Sequence, residues 1–548
     1  MPFRAIAASS LLLFVPAAAS APPSVTPYLT DFYSGARLQP QPKIPWAPPG
    51  SGVATAAYIQ IDRSRSSQTI LGFGTALTES ASFNYAGLNA TMQLLVADLL
   101  YGADGNGYTL GRMHMNSADF SLETYNMDNV TGDFSLAAFD SALTHDSAYV
   151  VPFATAMSAR AGGKLKLFFS PWSPPGWMKN SGTMINSTVP TGLRADPQVH
   201  AAWALYFVKF AEALASKGLR PWGLTVQNEP LIVMSNPLHQ YESCAYSDTD
   251  ERDFLRDSLG PALEQAGLSD LIVMAYDWNK GQTSSYMATL LADEAALKYL
   301  GGVAVHWYAW RADLYLDELA QLAQTPGWNA SKHVLLATEA CFIQQGVASG
   351  AGEDPVNDGT GVLFGPGPPP GNGSVVVRYG VGELYLLDAL GDISFGAQGW
   401  VDWNALLDYH GGPNHINRSD ISAPILVDTS TQSVYVQAMY YYIGHLSRFV
   451  APGWTRVDTS RSTGVATAAD DFNLAKLHIE QNLPDAPSNK PPALTFCVAA
   501  AFASPDGTAG ALVALNVLER EFTVTVTDDA FGSFNYTLPP RSAVTFVY

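Results

Sequence analysis

Gly223-Leu224-Thr225-Val226-Gln227-Asn228-Glu229-Pro230 reads as a short buried strand, Leu224 to Val226, that runs directly into three polar side chains. Pro230 ends it, because proline has no N–H to give to a strand ladder. A glutamate at the carboxyl end of an apolar strand is costly to bury unless it is hydrogen-bonded or has chemistry to perform. Glu229 is therefore either a cap for the following segment or half of a catalytic pair, and the other half has to lie elsewhere in the chain.

The same texture recurs on both sides of this stretch. Short apolar runs occupy 69–78, 108–115, 164–172, 222–227, 271–276, 303–308, 334–338 and 396–403. Each suits a parallel strand buried on both faces, and they alternate with longer segments of helical period. The clearest helix is Ala201–Lys217, with Trp203, Phe207, Phe210 and Leu214 on one face and Gly218 at its end. Eight strands with interleaved helices predict an α/β fold, a (β/α)8 TIM barrel, over 69–430. A doubly wound sheet is the alternative, but Gly72-Phe73-Gly74 lacks the third glycine and the acidic partner of a dinucleotide turn. The Gly350–Gly373 stretch is too rich in Pro and Gly for a helix and is expected to be a long loop.

Outside the barrel, the N-terminal segment 21–68 is Pro/Ser/Gly-rich over 22–53 and then alternates as a half-buried strand at Tyr58–Asp62. The region 431–548 opens with an expected aromatic-rich helix, Val434–Leu446. It continues with strand-like runs at Leu512–Val517, Phe522–Val526 and Ala543–Tyr548. These predict an accessory all-β sandwich built mainly from the C-terminal region and completed by N-terminal strands.

A chain of 548 residues with 12 Trp, 25 Tyr and 25 Phe is aromatic-rich, and aromatic faces stack on sugar C–H surfaces as readily as they fill cores. Its net charge of −20 argues against a nucleic-acid partner, which it would repel. Residues 1–20 have the form of a secretory signal peptide: Arg4, then an apolar run from Ile6 to Val15, then small residues at 17–21. No later apolar run is long enough to span a bilayer. Asn-x-Ser/Thr sequons begin at Asn89, Asn129, Asn186, Asn329, Asn372, Asn417 and Asn535, in keeping with a glycoprotein of the secretory pathway, lysosomal, vacuolar or exported. Three cysteines allow at most one disulfide, so the core must hold the fold.

In a barrel of this kind the chemistry sits at the carboxyl ends of the strands. Asn116 and Asp119 follow strand two, Trp172 ends strand three, and Asn228 and Glu229 end strand four. His306, Trp307 and Tyr308 end strand six, Glu339 ends strand seven, and Asp402, Trp403 and Asn404 lie on strand eight. Glu339 is the second carboxylate. Two glutamates facing each other across a barrel mouth suit glycoside cleavage, in which one carboxyl protonates the leaving oxygen while the other attacks the anomeric carbon. Two carboxylates that close do not ionise independently, and this splits one residue type into an acid and a nucleophile. Asp119 can accept from two sugar hydroxyls, or cap its own loop. Trp172 and Trp403 offer flat faces, or pack the core. Arg112, on strand two, can orient Glu339 and hold it charged, or form a structural ion pair.

The chain resembles the glucosylceramidases, the lysosomal acid β-glucosidase type of glycoside hydrolase family 30. The resemblance is carried by Gly72-Phe73-Gly74, Asp119-Phe120-Ser121, Ser170-Pro171-Trp172, Asn228-Glu229-Pro230 and Val305-His306-Trp307-Tyr308. It continues in Glu339-Ala340-Cys341, Trp400-Val401-Asp402-Trp403-Asn404, Gly411-Gly412-Pro413-Asn414 and the segment Ser422 to Asp428. It implies that Glu229 is the acid/base and Glu339 the nucleophile. Asp119, Trp172, Asn228 and Trp403 would hold a glucosyl ring, Tyr308 would hydrogen-bond near the nucleophile, and His306 would support the pair without acting as a base. It implies a retaining β-glucosidase acting on a glycosphingolipid, glucosylceramide, at a membrane surface, with a lipid-presenting activator protein left open as a partner. The other activities of the family, on β-xylosides or β-1,6-glucans, and a carbohydrate-binding protein without turnover remain as alternatives. No cofactor and no metal set are expected. The apolar Leu231, Ile232, Val233 and Met234 after Pro230 suit a lipid tail or a buried loop anchor equally.

Overall fold

A computed structural model of the chain describes residues 24–48, 57–185, 192–232, 241–308, 314–343, 361–371, 374–377, 379–461 and 497–548. The expected signal peptide, Val233 and Met234, the sequons at Asn186 and Asn372, and most of the Gly350–Gly373 stretch lie outside them.

Eight strands close into a barrel in chain order: Gly72–Ala76, Leu110–Met115, Lys166–Pro171, Gly223–Thr225, Ile272–Asn279, Gly302–His306, Val334–Glu339 and Gly399–Asp402. Every neighbouring pair is parallel, and the eighth strand closes on the first with Trp400 opposite Phe73. All eight runs read as strands are strands. Helices between them, such as Pro197–Ser216, cover the outside with their apolar faces. That helix begins at Asp196, whose side chain caps the backbone N–H of Gln198, and it has Pro197 in its first turn. Inside the barrel, Leu110, Phe168, Met274, Ala304, Leu336 and Val401 form one apolar layer. Gly74 lets the first two strands approach closely, since a Cβ there would stand 2.0 Å from the carbonyl oxygen of Leu110.

The accessory domain is one nine-stranded sheet. Its spatial order is Ala36–Pro40, Thr26–Asp31, Ser542–Val547, Gly510–Asn516, Cys497–Ala503, Thr455–Arg461, Ala57–Thr69, Phe522–Asp528 and Gly532–Leu538. Leu29 from one end of that order shares a core with Val524 and Phe534 from the other, so the sheet folds over as a sandwich. Thr26–Asp31, Ala36–Pro40 and Ala57–Thr69 are its strands from the first part of the chain.

Two expectations are corrected. The stretch read as a helix over Val434–Leu446 opens as a strand, Ser433–Val436, and turns helical only at Ala438–Ser447. The Gly350–Gly373 stretch contains a strand, Val362–Phe364, paired antiparallel with Ser433–Val436. Each strand satisfies the other's ladder, a long-range pairing that local composition does not register.

The helix Ala438–Ser447 packs the barrel against the sheet through a buried histidine. His445 Nδ1 lies 2.8 Å from Thr545 Oγ1 and Nε2 lies 2.8 Å from Thr30 Oγ1. The Thr545 hydroxyl donates to the backbone oxygen of His445, so it accepts from Nδ1–H, and Thr30 donates to Nε2. Neutral imidazole satisfies both contacts. Burial, helped by the Arg448 charge, pushes His445 down from 6.5 to about 3. A histidine held neutral stabilises the fold above the unfolded value, and that stability drains away as pH falls from about 6.5 towards 3. The expected slope is up to about 1.4 kcal/mol per pH unit. Thermal unfolding scanned over this window should show a shallower decline for His445→Gln than for the wild type, and parallel curves would contradict the assignment.

Candidate active site

The site is built on the two-residue period of the barrel strands. Two positions beyond the apolar layer, on the same inward faces, stand Arg112 after Leu110, Ser170 after Phe168, His306 after Ala304, Thr338 after Leu336 and Trp403 after Val401. Two bulges break this period. Asp277 is an extra residue between Tyr276 and Trp278 in the pairing of strands five and six. Thr338 is the extra residue between Ala337 and Glu339 in the pairing of strands six and seven. Bulges re-aim side chains. Here one brings Asp277 inward and the other lets both Thr338 and Glu339 reach the lumen, where Thr338 Oγ1 donates to Asp277 Oδ1 at 2.6 Å.

Arg112 is fully buried at the centre. Its guanidinium donates to Asp277 Oδ2 at 2.7 Å, to Glu339 Oε2 at 2.5 Å, to Asn228 Oδ1 at 2.8 Å and to Ser170 Oγ at 3.1 Å. Trp172 and Trp403 stack on each other, with ring centroids 5.0 Å apart, and the guanidinium carbon lies 4.9 Å from the Trp172 centroid. Both tryptophans are buried, so part of their flat surface goes to this stack. Burial works against charge on Asp277, but Arg112 and His306 outweigh it and hold the carboxyl well below its usual range.

Glu229 and Glu339 converge as their strand ends imply. One oxygen of each and one nitrogen of His306 all lie within 4.8 Å of one another. Glu229 sits in the left-handed region, φ +51°, a conformation rare for a non-glycine residue and concentrated at functional sites. Its N–H donates to the Asp277 carbonyl at 3.0 Å, and that of Asn228 to the Pro171 carbonyl at 2.9 Å. The two glutamates differ in surroundings. Glu339 accepts from Arg112 and from the Tyr308 hydroxyl, at 2.8 Å on Oε1. Glu229 accepts from the Tyr241 hydroxyl at 2.8 Å and makes no ion pair with an Arg or Lys among the described residues. Burial raises Glu339, His306 and Arg112 pull it down, and the charge of Glu229 pushes it up again, for a net rise. A proton on Glu229 removes that last push. Burial keeps both phenols well above their ordinary value, so they remain donors.

His306 Nε2 lies 3.0 Å from Asp277 Oδ1. Burial disfavours its charge, but Glu339 and Asp277 outweigh burial and raise it to about 9. Protonated, it offers no lone pair to a metal. Asp119 is buried beside the pair, and its Oδ1 has no hydrogen-bond partner among the described residues. Burial and the Glu339 charge push it to about 8, against the pull of Arg418. Its loop is pinned on several sides: Ser80 holds the Phe120 carbonyl, Glu79 accepts from Leu122 N–H, and Ser117 donates to the buried Glu242 at 2.8 Å. Cys244 and Cys341 are free and buried, and Cys341 Sγ lies 3.1 Å from the Tyr308 hydroxyl.

Arg112, Asp119, Trp172, Asn228, Glu229, His306, Tyr308, Glu339 and Trp403 therefore lie in one cluster, whereas Asn116, Asp402 and Asn404 bond outside it, to Tyr206, Tyr385 and Thr78. The sequence reading missed Asp277, Thr338 and Tyr241. Asp277 directly follows the apolar run of strand five, the same signal that marked Glu229 and Glu339. Tyr241 and Thr338 carry no comparable signal.

The family model described as the glycosyl hydrolase family 30 TIM-barrel domain matches residues 70–353 and 371–450, and the family's β-sandwich domain matches 495–546. The chain belongs to glycosyl hydrolase family 30. It is a glycoside hydrolase. A Caenorhabditis elegans protein bearing a glucosylceramidase name is 35% identical over 412 residues, 75% of this chain and 72% of that one. The lysosomal acid glucosylceramidase of Mus musculus is 29% identical over 421 residues, 76% and 75% of the two chains. An endo-1,6-β-D-glucanase of Neurospora crassa is 28% identical over 484 residues, 82% of this chain and 90% of that one. Among solved structures, SrfJ of Salmonella typhimurium superposes with a TM-score of 0.77 at 25% identity, over 96% of this chain and 99% of that one. No helix among the described residues is long and apolar enough to cross a membrane.

Arg112→Lys tests the centre of this family 30 site. One ammonium cannot reproduce a planar fork that serves Asp277, Glu339, Asn228 and Ser170 together with the Thr338 carbonyl. The expected result is a lower unfolding temperature together with about a hundredfold lower turnover of an aryl glycoside, comparable to loss of a preorganised donor. Arg112→Met, which leaves buried Asp277 with His306 as its one remaining cation among the described residues, should cost about 3–5 kcal/mol in chemical denaturation.

Proposed function

We propose that the chain is a retaining β-glucosidase that hydrolyses glucosylceramide at a membrane surface to glucose and ceramide. The observation that carries the mechanism is the approach of Glu229 and Glu339 to within 4.8 Å in unlike surroundings. Retaining enzymes hold their two carboxyls about 5–5.5 Å apart, whereas inverting ones leave roughly 6.5–9.5 Å for a water. Glu339, ion-paired to Arg112 and hydrogen-bonded by Tyr308, is suited to attack as the carboxylate. Glu229, with no Arg or Lys partner among the described residues, is suited to carry the proton that leaves with the ceramide oxygen. Glu229 then takes a proton from water as that water displaces glucose from the Glu339 ester. Arg112 occupies the oxygen of Asn228, which leaves the amide nitrogen as the donor for the sugar hydroxyl beside the reacting carbon. Asp119, with a bare oxygen, is suited to accept from hydroxyls further round the ring.

Ceramide as the leaving group is supported by the similarity to the mouse lysosomal enzyme and by the apolar Leu231 and Ile232 directly after the acid. On this reading the protein works in a lysosome or vacuole or outside the cell, and an activator that presents the lipid is a candidate partner. The second reading is an endo-β-1,6-glucanase, favoured by a match that spans 90% of the Neurospora enzyme.

Azide separates the two glutamate roles. With an activated aryl β-glucoside, Glu339→Ala plus azide should yield the α-glucosyl azide, and Glu229→Ala plus azide the β-glucosyl azide. The opposite pairing would reverse the assignment, and near-wild-type turnover in either variant without azide would remove it. Fluorescent glucosylceramide in detergent micelles, assayed beside β-1,6-glucan, decides between the two leaving groups.

A further inference from the structure

Asp277 holds its partners on both oxygens. Oδ2 takes Arg112 and Oδ1 takes His306 Nε2 and the Thr338 hydroxyl. The Thr225 hydroxyl lies 2.7 Å from Oδ2. With Nε2 tied down, the imidazole turns Nδ1 towards the mouth, 3.5 Å from Glu229 Oε1 and 3.8 Å from Glu339 Oε1. Nδ1 makes no hydrogen bond among the described residues. It stands between the two carboxyls and belongs to neither.

We propose that Asp277 is a positioning residue that fixes His306 as an imidazolium between the two glutamates. One stationary cation then accompanies the negative charge as it passes from Glu339 to Glu229 and back. This rests on the retaining mechanism proposed above. In the first half-reaction the Glu339 carboxylate bonds to C1 and loses its charge as an ester. The glycosidic bond breaks, and its oxygen takes the proton of Glu229, which becomes the carboxylate. In the second, water bonds to C1 and gives a proton to Glu229, the ester bond breaks, and Glu339 regains the charge. The negative charge moves a few ångströms each way and stays beside Nδ1 throughout, so no dipole has to reorganise at the moment of reaction.

The groups around His306 fit this use. Asp277 from strand five, Glu229 from strand four and Glu339 from strand seven face it, Arg112 from strand two lies behind Asp277, and the Tyr308 ring stands 6.1 Å away edge-on. Arg112 and His306 contribute two positive charges, and Asp277 with one ionised glutamate contributes two negative ones. The cluster is neutral when the glutamates share one proton, whichever of them carries it.

The test uses the full enzyme with 15N-labelled histidine. Both ring nitrogens of His306 should stay protonated to about pH 9, and an imidazole titrating near the ordinary 6.5 overturns the proposal without any variant. Asp277→Asn should lower that midpoint. It should also slow both the trapping of Glu339 by a 2-deoxy-2-fluoroglucoside and the release of the trapped sugar, each by about tenfold or more. Both losses should deepen as pH rises. A loss equal at every pH with the His306 midpoint unmoved marks a structural residue only and overturns the proposal. Should Asp277→Asn fail to fold, the wild-type titration still decides. A wild-type enzyme whose Glu339 takes no label overturns the retaining mechanism and this proposal with it. A labelled Glu339 beside a neutral His306 overturns this proposal alone.

Discussion

A guanidinium cannot be buried at the centre of a barrel unless anions meet it there, and Arg112 is fully buried. Its pairing with Asp277, equally buried, is the constraint on which the upper half of the barrel depends. Once Arg112 and Asp277 neutralise each other, the remaining donors of the fork can be turned to Glu339, Asn228 and Ser170 without leaving a naked charge in a medium that solvates it poorly. Below this level the lumen is apolar; above it lies the mouth. The polar layer therefore acts as a floor that sets the height at which the two glutamates stand.

That floor is assembled by strand geometry and not by loops. Residues two apart point the same way, so an apolar layer of Leu110, Phe168, Ala304 and Leu336 places Arg112, Ser170, His306 and Thr338 directly above it. The two bulges add what the regular period cannot. Without the extra residue at Asp277, the inward position of strand five would fall to another side chain. Without the one at Thr338, Thr338 and Glu339 would point to opposite faces. The positive φ of Glu229 is a third local distortion at the same height. Strain of this kind persists only where the surroundings over-determine it, and the bond from Glu229 N–H to the Asp277 carbonyl is one such tie.

The barrel was legible because parallel strands buried on both faces leave unbroken apolar runs, a signal that survives without any partner being known. The two glutamates were legible for the related reason that a carboxylate closing such a run is conspicuous. Asp277 closes a run in the same way, yet its importance lies in pairing with Arg112, 165 positions away, and in a bulge, and neither leaves a mark in local sequence. Tyr241 reaches Glu229 from 12 positions further on, with no pattern to announce it. The strand Val362–Phe364 was hidden because composition averaged over a Pro- and Gly-rich window outweighs three apolar residues. Its partner, Ser433–Val436, was absorbed into the aromatic helix that follows it.

The same division explains why family membership says more about one side of the reaction than the other. Asn228, Glu229, Glu339 and Trp403 stand at or just past the ends of barrel strands, where a closed ladder fixes the backbone and Arg112, Asp277 and the tryptophan stack fix the side chains. Past Pro230 the chain leaves the ladder, and Leu231 and Ile232 are held by loop packing alone. Changes there cost little in fold stability, whereas a change at Arg112 or Asp277 unbalances buried charge. Relatives named for a glucosylceramide and for a 1,6-glucan can therefore each match more than seven-tenths of this chain. The charge-balanced floor fixes the mouth of the barrel, and the segment after Pro230 is not held by it.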